Sequence, residues 1–267
     1  MRKKTRRPVA LSVAGSDSGG GAGIQADLQA FAAFGVHGTT AITCLTAQNP
    51  TGVSGVQACA PAMLRAQVEA VLTELRPAAI KTGMLYSSGL IRALAAVLRD
   101  GADGLPLVVD PVMVATSGAR LLQPAATRAL IRELLPLATL LTPNLDEAAL
   151  LSGAPLTEPE HLRESARLLH ERFGTAILVK GGHLPRMREA IDVFWDGRDE
   201  LLLTAPFVRG VSTHGTGCTY SAAITACLAL GQPLVEAVQR AKNHVTQAIA
   251  QSVRVGRHDA LNHFWTE

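Results

Sequence analysis

Short apolar runs alternate with amphipathic helices along nearly the whole chain, and few folds accept that order. "VALSVAG" from Val9 reads as a strand that ends in a glycine-rich turn. "GIQADLQAFAAFG" then places Ile24, Leu28, Phe31 and Phe34 near one helical face. The order continues with strand "TTAITCLTA", helix "APAMLRAQVEAVLTELRP", strand "AAIKTGML" and helix "SSGLIRALAAVLRD". Strand "LPLVVDPVMV", helix "PAATRALIRELLP", strand "ATLLTPN" and a short helix from "NLDEAALLSG" come next. Thr157 and Glu160 have capping-box spacing before a helix through Phe173. "TAILVKGG" is a further strand, and "AIDVFWDGRDELLLTAP" predicts a hairpin around Asp196-Gly197. Two last helices are expected over Thr216–Leu230 and Pro233–Val253. Strands separated by helices of this length imply βαβ units. The near-solid runs "LVVD" and "AILV" suit strands covered on both faces. The expectation is α/β: a single, mostly parallel sheet flanked by helices on both faces. Residues 9–267 form one domain in this reading, behind a flexible basic tail at 1–8.

The charge supports that division. The chain has 267 residues and a formal net charge of +3, but five of its 25 basic residues lie in "MRKKTRR". The remainder has 20 basic and 22 acidic residues. A solvated terminus accounts for the tail, and no nucleic-acid partner is expected. No apolar run approaches the roughly 18 residues of a membrane span, so no membrane partner is expected either. The apolar start is too short for an export signal and leads into "SDSGGGAGIQADL", which belongs to the domain. Cys44, Cys59, Cys218 and Cys227 show no metal spacing, which fits free thiols in a reducing cytoplasm.

In open sheets of this kind ligands bind at the carboxyl ends of the strands, and the unusual residues fall there. Gly215 and Gly217, in "HGTGC", precede a helix whose N-terminal amides and dipole would form an anion site. A plain tight turn is the other reading. No Gly-Lys-Ser/Thr follows, so this is not a Walker A loop. "GGGAGIQAD" meets the dinucleotide fingerprint only with Gln25 or Ala26 in the last place. Asp110, in "VVDPVM", and Asn144 and Glu147, in "TPNLDE", follow buried strands. Carboxylates there suit Mg²⁺, which keeps part of its water shell. Alternatively, Asp110 bonds loop amides and Glu147 completes the first turn of a helix. Lys180, in "LVKGG", ends a third strand and suits polyphosphate charge. Together these groups suggest phosphoryl transfer, a chemistry of positioning and charge stabilisation.

"AGSDSGGGAGIQADLQAFAAFGVHGTTAITCLTAQNPTGV", "KTGML", "DPVMVATSG", "TPNLDEAALL", "VKGGH" and "STHGTGCTYSAAI" stand in this order from about Val9 to Ile249. In them the chain resembles the hydroxymethylpyrimidine/phosphomethylpyrimidine kinases of thiamine biosynthesis, a branch of the ribokinase-like kinases. The resemblance implies successive ATP- and Mg²⁺-dependent phosphorylation of the pyrimidine alcohol and of its monophosphate, by a cytoplasmic homodimer. It implies that Gln48 bonds the aminopyrimidine, and that Gly15, Asp27 and Met84 line the same pocket. Gly215, Gly217 and Cys218 would form the anion hole, Asp110 and Glu147 would serve Mg²⁺, and Lys180, Asn144 and Thr213 would serve ATP. Ala119 stands where an acid is common, and Pro50 where threonine is common. Sugar kinases of the wider family place an aspartate base where this chain has Cys218. A helix N-terminus lowers a thiol toward about 3.5–7.5, which would make Cys218 a base. Small pocket-lining bulk is its other reading. Pyridoxal kinase is the rival activity, and a catalytically silent pyrimidine sensor the rival class.

Overall fold

The computed structural model describes residues 6–113, 122–182, 184, 187–208, 211 and 214–265. Ala119, His183 and Thr213 lie outside them. The strands are β1 (Val9–Asp17), β2 (His37–Asn49), β3 (Gly52–Ala58), β4 (Ala79–Thr82), β5 (Leu107–Val109), β6 (Leu140–Leu141), β7 (Ala176–Gly181), β8 (Glu189–Trp195) and β9 (Glu200–Pro206). They form one sheet in the order β3-β2-β1-β4-β5-β6-β7-β8-β9. The six central strands are parallel, while β3, β8 and β9 pair antiparallel at the edges.

Helices cover both faces, as the solid apolar strands require. Helices α2 (Pro61–Glu74), α3 (Ser88–Gly101), α4 (Pro124–Ala129), α5 (Leu145–Ser152) and α6 (Pro159–Phe173) lie on one side. Their side of the core holds Leu64, Leu94, Leu130 and Leu169 against Leu11, Ile80 and Ile177. Helices α1 (Gly23–Ala33), α7 (Thr216–Ala229) and α8 (Leu234–Ala250) cover the other side. There Phe31, Ala223, Ile224 and Val238 pack with Ala10, Val108, Leu140 and Phe194. The single, mostly parallel sheet expected from the sequence is therefore present.

Local departures have local causes. The box expected at Thr157 and Glu160 is absent. Pro159 stands in the first turn, Glu158 is the N-cap with no side-chain cap, and Thr157 falls outside the helix. The box occurs instead at Asn144 and Glu147, at the head of α5. The helix expected through Pro136 tightens and unwinds, with a π-turn at Leu130–Leu134 and a 3₁₀ turn at Leu135–Leu137. Pro136 has no N–H to continue the ladder. The last helix stops at Ala250, short of Val253, and a small hairpin follows, β10 (Val253–Val255) with β11 (His258–Ala260). The hairpin at Asp196-Gly197 is as expected, with Asp196 Oδ1 accepting from the amides of Arg198 and Asp199.

Candidate active site

The glycine mouth faces the carboxyl ends of the parallel strands. No side chain caps α7 at Gly215, whose φ of +82° is left-handed. A Cβ at Gly215 would lie 1.8 Å from the Gly21 carbonyl oxygen, so "GGGAG" and "HGTG" touch as bare backbones. His214 ties the same two segments, with Nε2 3.2 Å from Asp17 Oδ2. Asp17 also accepts from the amides of Gly19 (2.8 Å) and Ala22 (2.9 Å). The glycine-rich turn after β1 is thus a wall of the mouth.

Lys180 and Asp110 meet under that mouth. Lys180 Nζ donates to Asp110 Oδ1 at 3.0 Å, and Ser221 Oγ, one turn into α7, donates to Oδ2 at 3.2 Å. A Cβ at Gly217 would lie 3.1 Å from Lys180 Nζ and 3.8 Å from Asp110 Oδ2, so the bare glycine leaves the cation open to the helix terminus. Burial opposes the Lys180 ammonium, but Asp110 and Glu147 hold it above its ordinary value.

Glu147 is buried and gives both oxygens to backbone amides, Oε1 to Met113 and Oε2 to Asn144, each at 2.9 Å. Asn144 Oδ1 accepts from the Glu147 amide at 2.9 Å and caps α5. Burial, reinforced by the nearby Asp110, pushes the Glu147 carboxyl up to about 7 against the pull of Lys180. Among the described residues no group of three or more His, Cys, Asp or Glu forms a ready-made metal cage. The donor chemistry nevertheless fits Mg²⁺, which takes one or two carboxylates plus water and phosphate oxygens. Two carboxylates at adjacent strand ends repel each other, and a cation held there would relieve that charge.

Of the four residues expected to line a substrate pocket, Gly15 and Met84 lie next to each other. A Cβ at Gly15 would meet Cys44 Sγ at 2.9 Å and Met84 Cβ at 3.8 Å, so Gly15 and Met84 share one wall. Gln48 is fixed at the end of β2 by Ser18, which bonds both its amide (2.8 Å) and its carbonyl (2.7 Å). Its side-chain oxygen accepts from Thr46 at 3.1 Å, and no bond to its Nε2 occurs among the described residues. Asp27 differs from expectation. It is wholly buried, with Oδ1 on Lys81 Nζ (2.7 Å) and Oδ2 on Ser12 Oγ (2.5 Å). The apolar side of α1 faces the sheet, and Asp27 lies buried within it.

Cys218 also departs from expectation. It is half-buried in the first turn of α7. Burial pushes its thiol up to about 11, although Lys81 and a backbone hydrogen bond from Gly23 pull the other way. Desolvation outweighs the helix terminus, and the free protein holds Cys218 as a thiol. Sequence reasoning also passed over Lys81, Asp17, His214 and Ser221. The one available signal was a lysine inside the apolar strand that ends in "KTGML".

An anion-binding helix mouth over a strand-end Lys–Asp pair, at the rim of a parallel sheet, is the layout of an α/β phosphotransferase. The family model for phosphomethylpyrimidine kinase matches residues 17–262, and the chain belongs to that family. It is 46% identical to the hydroxymethylpyrimidine/phosphomethylpyrimidine kinase of Synechococcus elongatus, over 97% of this chain and 98% of that one. Among solved structures, the pyridoxal kinase of Staphylococcus aureus in complex with AMP-PCP and pyridoxal superposes with a TM-score of 0.88 at 33% identity, covering 97% of this chain and 94% of that one. The phosphomethylpyrimidine kinase of Clostridium difficile 630 gives 0.81 at 37% identity, covering 91% and 100%.

Proposed function

We propose that this protein uses ATP and Mg²⁺ to phosphorylate 4-amino-5-hydroxymethyl-2-methylpyrimidine to its monophosphate and then to its diphosphate, in thiamine biosynthesis. The observation that carries this reading is the open approach of Lys180 Nζ and Asp110 to the bare Gly217 at the head of α7. The substrate hydroxyl attacks the γ-phosphorus, a new P–O bond forms, and the bond to the ADP oxygen breaks. The α7 mouth and Lys180 stabilise charge on the transferred group. Asp110 and Glu147 would hold Mg²⁺, which would supply neutralisation of phosphate charge. Asn144 and Thr213 are assigned to the ATP side, and Cys218 to the reacting hydroxyl. A cytoplasmic homodimer is part of the same reading. The hairpin of β2 and β3 supports it, because Leu45, Val53 and Val56 are exposed there.

Pyridoxal kinase is the second reading, favoured by the likeness to the Staphylococcus aureus enzyme. Gln48 discriminates between them. An amide offers a donor and an acceptor, and an aminopyrimidine presents the matching pair, whereas pyridoxal presents a phenolic oxygen and an aldehyde. A buried group left unpaired costs about 1–3 kcal/mol. Gln48→Ala should therefore lower kcat/KM for the pyrimidine alcohol about ten- to a hundredfold, and for pyridoxal by less. Mass spectrometry of products formed with ATP and Mg²⁺ tests the activity itself. A chain that yields pyridoxal phosphate but no pyrimidine phosphate belongs to the second reading.

A further inference from the structure

Asp192 of β8 and Lys242 of α8 are both buried, and Lys242 Nζ donates to Asp192 Oδ2 at 2.7 Å. Burying such a pair is expensive, and an apolar pair of similar volume often serves stability as well or better. Its placement supplies a reason for it. The other carboxylate oxygen, Oδ1, accepts from the amide of Gly181 at 2.9 Å. Gly181 follows Lys180 and is the last residue of β7. The Lys180 amide bonds the Pro143 carbonyl at 2.8 Å, so this strand end is tied on both sides. A Cβ at Gly181 would collide with the Ile191 carbonyl and with Leu162, so the strand end also sits flush on β8 and α6.

Asp192 has a second relation to Lys180, because the two stand directly opposite each other in the β7–β8 ladder. Opposed residues of an antiparallel pair project from one face with Cβ atoms about 4.5–5.5 Å apart. A long lysine side chain could therefore turn to the carboxylate across the ladder. Instead Lys180 Nζ bonds Asp110 Oδ1 at 3.0 Å and lies open to the bare Gly217. Both oxygens of Asp192 are already taken, one by the Lys242 ammonium and one by the Gly181 amide.

We propose that Asp192, neutralised by Lys242, is a positioning residue for phosphoryl transfer. It fixes the end of β7 through the Gly181 amide, while Lys242 keeps its charge from drawing Lys180 away from Asp110 and the α7 mouth. Asp192 and Lys242 touch neither reactant and act through Lys180. The inference rests on the assignment of Lys180 to the transferred phosphate.

The test is a set of variants in the full-length protein, followed by ADP release and by calorimetric affinity for AMP-PCP. Lys242→Met leaves Asp192 charged and without its partner. It should lower kcat about ten- to a hundredfold, the cost of a misplaced group, with little change in KM for the alcohol, and should weaken AMP-PCP binding. Asp192→Asn with Lys242→Met buries no charge and keeps an acceptor for the Gly181 amide, so it should return both readouts close to the parent. In a Lys180→Met background, Lys242→Met should change neither readout further, because the residue it acts through is gone. If Lys242→Met does not fold, Asp192→Leu with Lys242→Met takes its place. That pair also buries no charge but offers Gly181 no acceptor, and it should fall short of the first double variant by the same factor. Equal turnover in the folded variants, or an undiminished loss in the Lys180→Met background, means the pair only holds the core together and overturns the proposal. ADP release is read with whichever of the pyrimidine alcohol and pyridoxal the parent uses, and AMP-PCP binding needs neither. A parent that uses only pyridoxal therefore ends the substrate reading and leaves this comparison decisive.

Discussion

At the scale of single residues, Glu147 joins stability to pH. Its carboxyl is pushed up to about 7 in the folded chain, against an ordinary value of 4.5. The folded state therefore binds this proton more tightly than the unfolded chain does. That contribution is full below about 4.5 and is lost as the pH rises through about 7. Chemical denaturation of parent and Glu147→Gln at pH 5 and pH 8 should show the parent losing more stability across the interval. Parallel losses would remove Glu147 as the cause. The sequence exposed the positions of Asp110, Glu147 and Lys180 because each follows an apolar run that can only be a strand. It did not expose their electrostatics. Whether a helix terminus or desolvation governs Cys218 depends on how much protein surrounds the sulfur, and no local pattern encodes that. Asp27 was misplaced for a related reason. A charged residue on an amphipathic helix reads as surface, and its partner Lys81 lies far along the chain.

At the scale of elements, the meeting of the β1 turn with the head of α7 is the tightest junction in the site. Gly215→Ala would force a Cβ into the Gly21 carbonyl and require a left-handed alanine. The handedness alone costs about 1–2 kcal/mol, and the clash adds to it. Gly217→Ala meets only the far end of Lys180, which can move. Thermal unfolding should rank Gly215→Ala well below Gly217→Ala, while both lose most of their turnover. Equal melting temperatures would mean that the junction relaxes freely. Of the elements, the central βαβ order was legible because apolar period and length agree there. The edge strand β3 was not, since "GVSGVQA" is short and exposed along its length. The last hairpin was hidden because Val253 continues the apolar pattern of α8, and only the turn after Ala250 ends the helix.

At the scale of the whole molecule, the homodimer reading makes a direct prediction. Leu45 pairs with Gln57 and Val56 with Thr46, so the two exposed side chains leave opposite faces of the β2–β3 hairpin. Leu45→Glu with Val56→Glu should halve the mass seen by light scattering and leave the unfolding of the isolated chain nearly unchanged. A parent that already runs at 28.0 kDa would end that reading. The arrangement of layers also bears on how the protein is made. All nine strands of the sheet lie before α7 in the chain, yet α7 and α8 supply most of the cover for one face. Until the last fifth of the chain has been made, nothing from α7 or α8 can cover Val108, Leu140 and Leu178, and the glycine mouth at the head of α7 does not yet exist.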